Sequence, residues 1–218
     1  MNVALIGATG FVGAALLEEL LARGHQVRAL ARTPSKLAAR AGLTVVQADV
    51  LDAAQVAKAV AGSDAVVSAF NPGWEHPDLY NQFLAGSKAI AEGAKQAGVK
   101  RLIAVGGAGS LFVAPGVQLV DTPEFKNHVP ANVVPGAQAA RDELTRLQKE
   151  EGALDWTFVS PAPMLAPGER TGRYQFGGDT VPMKDGQLAG ITSADLAAAI
   201  VDVLEQGRYV RERFVAFS

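Results

Sequence analysis

Near the N-terminus the run Gly7-Ala8-Thr9-Gly10-Phe11-Val12-Gly13 places three glycines at G-x-x-G-x-x-G spacing. It follows a β-branched run and opens a stretch of helical period, and this position makes the triplet informative. Each glycine has a steric task there: Gly7 permits a tight turn, Gly10 lets the backbone approach a diphosphate, and Gly13 lets helix and sheet pack closely. The diphosphate would rest on the free N–H groups and positive dipole end of that helix, with Thr9, Phe11 and Val12 as further contacts from the same loop.

Where a second strand would end, a dinucleotide site carries an acid for a ribose 2′-OH or an arginine for a 2′-phosphate. From Leu20 to Ala48 there is no acidic residue, and Arg32 stands at the expected strand exit with Thr33 and Ser35 beside it. NADP(H) is therefore favoured over NAD(H). Arg28, Lys36 and Arg40 read individually as members of solvated faces. Asp49, after a third strand, is placed to reach an adenine edge with Val50 as a hydrophobic wall; a turn or cap role for Asp49 stands as the alternative. The turn Ala69-Phe70-Asn71-Pro72-Gly73 would carry Phe70 and Asn71 past the cofactor, and Gly106 would do so after a fifth strand.

The elements that must position these residues alternate in period. Val3–Ile6, Val27–Ala31, Thr44–Ala48, Ala65–Phe70, Arg101–Val105, Trp156–Val159 and Phe214–Phe217 read as strands. Phe11–Ala22, Ser35–Ala41, Ala53–Ala61, Leu79–Gln96, Ala137–Glu150 and Ala194–Gln206 read as helices, with Asp52 and Ser193 as N-caps and Gly24, Gly98, Gly152 and Gly207 as stops. The alternation predicts an α/β fold, a doubly wound parallel sheet in one domain over residues 1–218. Two long Gly- and Pro-rich stretches, residues 106–135 and 160–191, follow strands five and six and lie at the C-terminal sheet edge, so they are the expected substrate loops.

Composition narrows the partners. Lys plus Arg is 20 against 22 for Asp plus Glu, a net charge of -2, which leaves no global field for nucleic acid or acidic membranes. There is no cysteine, so disulfides and thiolate chemistry are absent, and the three histidines have no metal-ligand spacing. No apolar run of bilayer length occurs, and Met1–Ile6 does not read as a secretory leader, so a cytoplasmic protein without a metal is expected, as a monomer or homodimer.

The Gly7–Gly13 loop, Arg32, Asp49, Leu102–Gly109, Ser160-Pro161-Ala162 and Ile191–Ala197 together resemble an atypical short-chain dehydrogenase/reductase. Within it the chain is similar to the NAD(P)H-binding group of NADH-flavin reductases, near the biliverdin reductase B/flavin reductase and NmrA-like proteins. The resemblance implies a Rossmann-type fold and a nicotinamide cofactor. The superfamily's usual Tyr-x-x-x-Lys pair is missing: Tyr80, Tyr174 and Tyr209 are followed four places on by Leu84, Gly178 and Arg213. Without a lysine-assisted phenol to exchange protons, hydride delivery to a flavin, quinone or similar planar acceptor is the expected reaction. A non-catalytic NADP-binding redox sensor and an epimerase or dehydratase relative are the alternatives. By its match to the group's nicotinamide-flanking serine, Ser110 is the candidate catalytic residue. Phe112, His128 and Tyr174 are the candidate substrate contacts, with Trp74, Phe176, Arg170 and Arg173 as weaker ones.

Overall fold

The computed structural model describes residues 1–218. In chain order the strands and long helices are β1 (Asn2–Ile6), α1 (Phe11–Ala22), β2 (Gln26–Ala31), β3 (Leu43–Gln47), α2 (Ala53–Val60), β4 (Ala65–Ser68), α3 (Leu79–Gln96) and β5 (Arg101–Val105). The first long loop holds β6 (Phe112–Ala114), β7 (Val117–Gln118) and α4 (Pro123–His128), and α5 (Val134–Glu150) and β8 (Asp155–Pro161) follow. The second holds β9 (Met164–Ala166), β10 (Gln175–Gly177), β11 (Met183–Lys184) and β12 (Gln187–Leu188); then come β13 (Gly190–Thr192), α6 (Ser193–Gln206) and β14 (Glu212–Phe217).

The main sheet runs β10-β14-β8-β5-β4-β1-β2-β3, with every pair parallel except the edge pair β10 and β14. The alternation of side chains along a strand explains why the sheet is covered on both faces. Val3 and Leu5 of β1 pack into one core with α1 and α6, whereas Ala4 and Ile6 pack into a second core with α2, α3 and α5. From β1 the chain moves outward to β2 and β3, and from β4 outward the other way. The gap between the C-terminal ends of β1 and β4 is thus the topological switch point, where ligands of such sheets bind.

Three local expectations are corrected. Ser35–Ala41 is not an α-helix: Pro34–Lys36 makes one 3-10 turn with no buried residue, since this segment has no apolar stripe to bury. The cap of α6 is Thr192 rather than Ser193, its hydroxyl accepting the Asp195 N–H at 3.0 Å. The fifth helix starts at Val134, three residues earlier than Ala137, with Pro135 in the first turn where a missing N–H costs nothing. No helix is long and apolar enough to cross a membrane.

Candidate functional site

A cleft of about 970 Å³ opens at the switch point, walled by the glycine loop, the exits of β2, β4 and β5, and parts of both long loops. Gly7 sits at φ +84°, and a Cβ there would stand 2.4 Å from the Ala69 carbonyl oxygen, so only glycine lets β1 and β4 close on each other here. Gly10 precedes α1, its N–H donating to the Gly7 carbonyl at 2.8 Å, and no side chain caps the helix. The first-turn N–H groups of α1 are left for a ligand or water. Thr9, Phe11 and Val12 line the cleft with them. Gly13 lies beneath the loop instead: its Cβ would fall 1.9 Å from the Gly7 carbonyl oxygen, so it acts by packing rather than by contact.

The basic residues around β2 separate by their partners. Arg28 donates to the Ala59 and Ala61 carbonyls, and Arg40 pairs with Glu18. Arg23 binds Glu19, Asp202 and Glu205, and His25 binds Glu205. Arg32 and Lys36 make no ion pair or side-chain hydrogen bond, and both line the cleft with Thr33. Lys36, expected on a solvated face, therefore joins Arg32 at the exit of β2. Val50 lines the cleft, but Asp49 does not: it is an exposed turn residue whose carboxylate accepts the Leu51 N–H at 3.0 Å. This short Asx turn is the turn role that stood as the alternative for Asp49.

Phe70, Asn71 and Gly106 line the cleft. The Phe70 ring is seated on α3, where a Cβ on Gly86 would meet it at 2.2 Å, and a Cβ on Gly106 would stand 1.9 Å from the Phe158 ring. On α5, where the superfamily's Tyr-Lys pair would sit, Gly136, Ala137 and Ala140 face the cleft. The neighbouring wall is apolar: Trp74, Phe125, Val129, Val133, Pro163 and Leu165.

The four substrate-side candidates lie off this wall. Ser110 is fully buried, turned inward by the 3-10 turn Ala108–Ser110, and its hydroxyl meets the Gly107 carbonyl at 3.2 Å and Ser160 Oγ at 3.1 Å. Arg213 Nη1 donates to its carbonyl at 2.7 Å. These bonds hold the turn, and Ser110 is not among the residues that line the cleft. Phe112 lies under the same guanidinium, 5.6 Å from its ring centroid. His128 is exposed at the end of α4, with Nδ1 on the Glu124 carbonyl at 2.7 Å. Tyr174 donates to Asp202 at 2.7 Å; burial and that hydrogen bond push its phenol up to about 12. Arg170 pairs with Glu19, and Phe176 packs between Tyr174 and Phe214.

Phe125 and Val129 were not singled out in the sequence. Their signal was present: Thr122-Pro123 starts a helix, the Thr122 hydroxyl accepting the Phe125 N–H at 3.1 Å, and the two apolar residues are four apart.

Known proteins share this fold over its whole length. The Bacillus subtilis protein YwnB, an uncharacterized protein, is 38% identical over 223 residues, covering 100% of this chain and 99% of YwnB. A solved Bacteroides thetaiotaomicron structure, provisionally named an epimerase, is 41% identical with a TM-score of 0.90 and covers 99% of this chain and 96% of its own. A Streptococcus pneumoniae structure, provisionally named an NADH-flavin reductase, is 33% identical with a TM-score of 0.83 and covers 100% and 99% respectively. The NAD(P)H-binding family model matches residues 7–207, from the first glycine of the loop to the end of α6, and the chain belongs to that family.

Proposed function

We propose that the chain is an NADPH-dependent reductase that passes hydride to a planar conjugated acceptor of the flavin or quinone type. One observation carries this reading: Arg32 and Lys36 are the only ionisable residues among the 34 that wall the cleft, and no Tyr, His, Asp, Glu or Ser is among them. When bound, NADPH supplies a hydride, and a conjugated ring accepts it and draws its remaining proton from water. The chain's own residues bind and orient. Arg32, Lys36 and Thr33 suit a 2′-phosphate, and Gly7, Gly10 and the uncapped start of α1 suit the diphosphate. The floor Gly106-Gly107-Ala108-Gly109 offers backbone to a flat ring, and the apolar wall keeps water from the donor. Alcohol oxidation or sugar epimerisation requires a side chain that moves a proton, and the wall carries its one lysine at the exit of β2, with no Tyr, His, Asp, Glu, Lys or Ser beside Gly136, Ala137 and Ala140 of α5. The proposal places the protein in the cytoplasm, as a monomer or homodimer acting on a small molecule.

The test follows NADPH oxidation with riboflavin, FMN and small quinones, beside cofactor binding measured by fluorescence. Turnover with at least one acceptor class is expected. Tight binding with no turnover across the panel would replace the reading with that of a redox sensor.

A further inference from the structure

The chain has two tryptophans in opposite settings. Trp156 is 3% exposed in the core, whereas Trp74, on the cleft wall, is 49% exposed. A wide aromatic face left open on a concave wall marks a ligand seat more than a core edge.

Trp74 is also held in place. A Cβ on Gly136 would stand 2.9 Å from Trp74 Cζ3 and 3.1 Å from Leu79 Cδ2, so the indole lies flush on the first turn of α5. The segment that carries it is tied to the residues before α5: Asn132 Nδ2 donates to the neighbouring Glu75 Oε1 at 2.7 Å and reaches the Trp74 carbonyl at 3.5 Å. A pre-positioned ring loses little freedom when a second ring stacks on it.

Charge decides what kind of ring. Both cations of the wall, Arg32 and Lys36, leave the end of β2, whereas Trp74, Phe125, Val129 and Gly136 come from the segments after β4 and β5. Lys126 and His128, on α4 between Phe125 and Val129, are exposed and off the wall. A phosphate or carboxylate brought to this end would lose hydration and gain no partner.

We infer that Trp74, seated on Gly136, is the stacking residue for the acceptor and that this end of the cleft selects an uncharged planar ring, riboflavin or a quinone over FMN. The inference rests on the reductase reading. The experiment compares kcat and KM for menadione, riboflavin and FMN in the wild type, Trp74→Ala, Trp74→Phe and Gly136→Ala, all saturated with NADPH. It adds quenching of tryptophan emission by menadione in the NADP+-loaded protein. Trp74→Ala should raise the acceptor KM about 5- to 100-fold, the range of one ring-stacking contact, with a smaller change in kcat. Trp74→Phe should recover most of it, and Gly136→Ala, which pushes the indole away, should imitate Trp74→Ala while NADPH affinity holds. Riboflavin should exceed FMN in kcat/KM by about tenfold or more, and Trp74→Phe should abolish the quenching. Turnover with an unchanged acceptor KM in Trp74→Ala, or FMN used as well as riboflavin, overturns the inference and leaves the reductase reading standing. A wild type with neither turnover nor quenching overturns both.

Discussion

Gly13→Ala sets two physical effects against each other, and the structure decides the sign. Alanine in place of glycine inside a helix is worth about 1 kcal/mol in favour of folding, and Gly13 is the third residue of α1. Propensity alone predicts a stabilised protein. The new Cβ, however, would lie 1.9 Å from the Gly7 carbonyl oxygen and 2.5 Å from its carbon. Ordinary contact is about 3.4 Å or more, so the loop and helix must part by over ~1 Å. Neither side yields easily, because Gly7 is itself packed against the Ala69 backbone. Overpacking of this kind costs about 1–3 kcal/mol and lies at the upper end where backbone meets backbone. Net destabilisation of about 1–2 kcal/mol should lower Tm by roughly 2–8 °C in a chain of this size. The displaced loop carries the N–H groups that would meet a diphosphate, so NADPH affinity should fall about tenfold or more. Calorimetry and cofactor titration read both effects. Gly107→Ala is the control for stability, since its Cβ would find only Ala140 Cβ at 3.8 Å. A Tm at or above wild type with normal NADPH binding would refute the steric account.

Arg32→Asp should weaken NADPH about 100-fold while changing NADH by less than about threefold, because a charge-assisted phosphate contact is worth about 1.5–3 kcal/mol and the reversal adds repulsion; parallel losses for both cofactors would remove Arg32 from the 2′-phosphate site. Ser110→Ala, at a buried hydroxyl off the cleft, should cost about 1 kcal/mol in a urea titration and leave kcat within about threefold; a hundredfold loss of kcat would restore Ser110 to the chemistry. The Tyr174 phenol, raised to about 12 by burial and by Asp202 against about 10 when unfolded, stays protonated longer in the folded chain. Its contribution is therefore complete below pH ~10 and lost as pH climbs toward ~12. Urea midpoints measured on either side of pH ~10 should fall more steeply in the wild type than in Tyr174→Phe, and equal slopes would contradict the assignment.

The parts of this molecule legible in its sequence are those fixed by near neighbours. The glycine loop, the strands that flank it and the cap at Asp52 depend on residues within a turn or two, and the switch point follows from their alternation. Arg32 could be told from Arg28 only by topology, since the carbonyls that occupy Arg28 lie on α2 and just after it, more than thirty residues away. The two long loops misled for a deeper reason. Their polar residues look like chemistry, yet those singled out as candidates mostly hold the loops to the body of the fold. Ser110 and Asp179 are clasped by Arg213 from β14, Arg170 by Glu19 of α1, Thr171 and Gly172 by Asp195 of α6, and Tyr174 by Asp202. Loops without regular ladders must satisfy their backbone and side chains somewhere, and here they do so against distant strands and helices. What remains to face the cleft is the apolar remainder, Phe125, Val129, Pro163 and Leu165. Apolar residues suit a reaction in which the cofactor carries the electrons and the loops need only hold a ring still and dry, so the charged side chains of the site, Arg32 and Lys36, come from the exit of β2 and not from the two long loops.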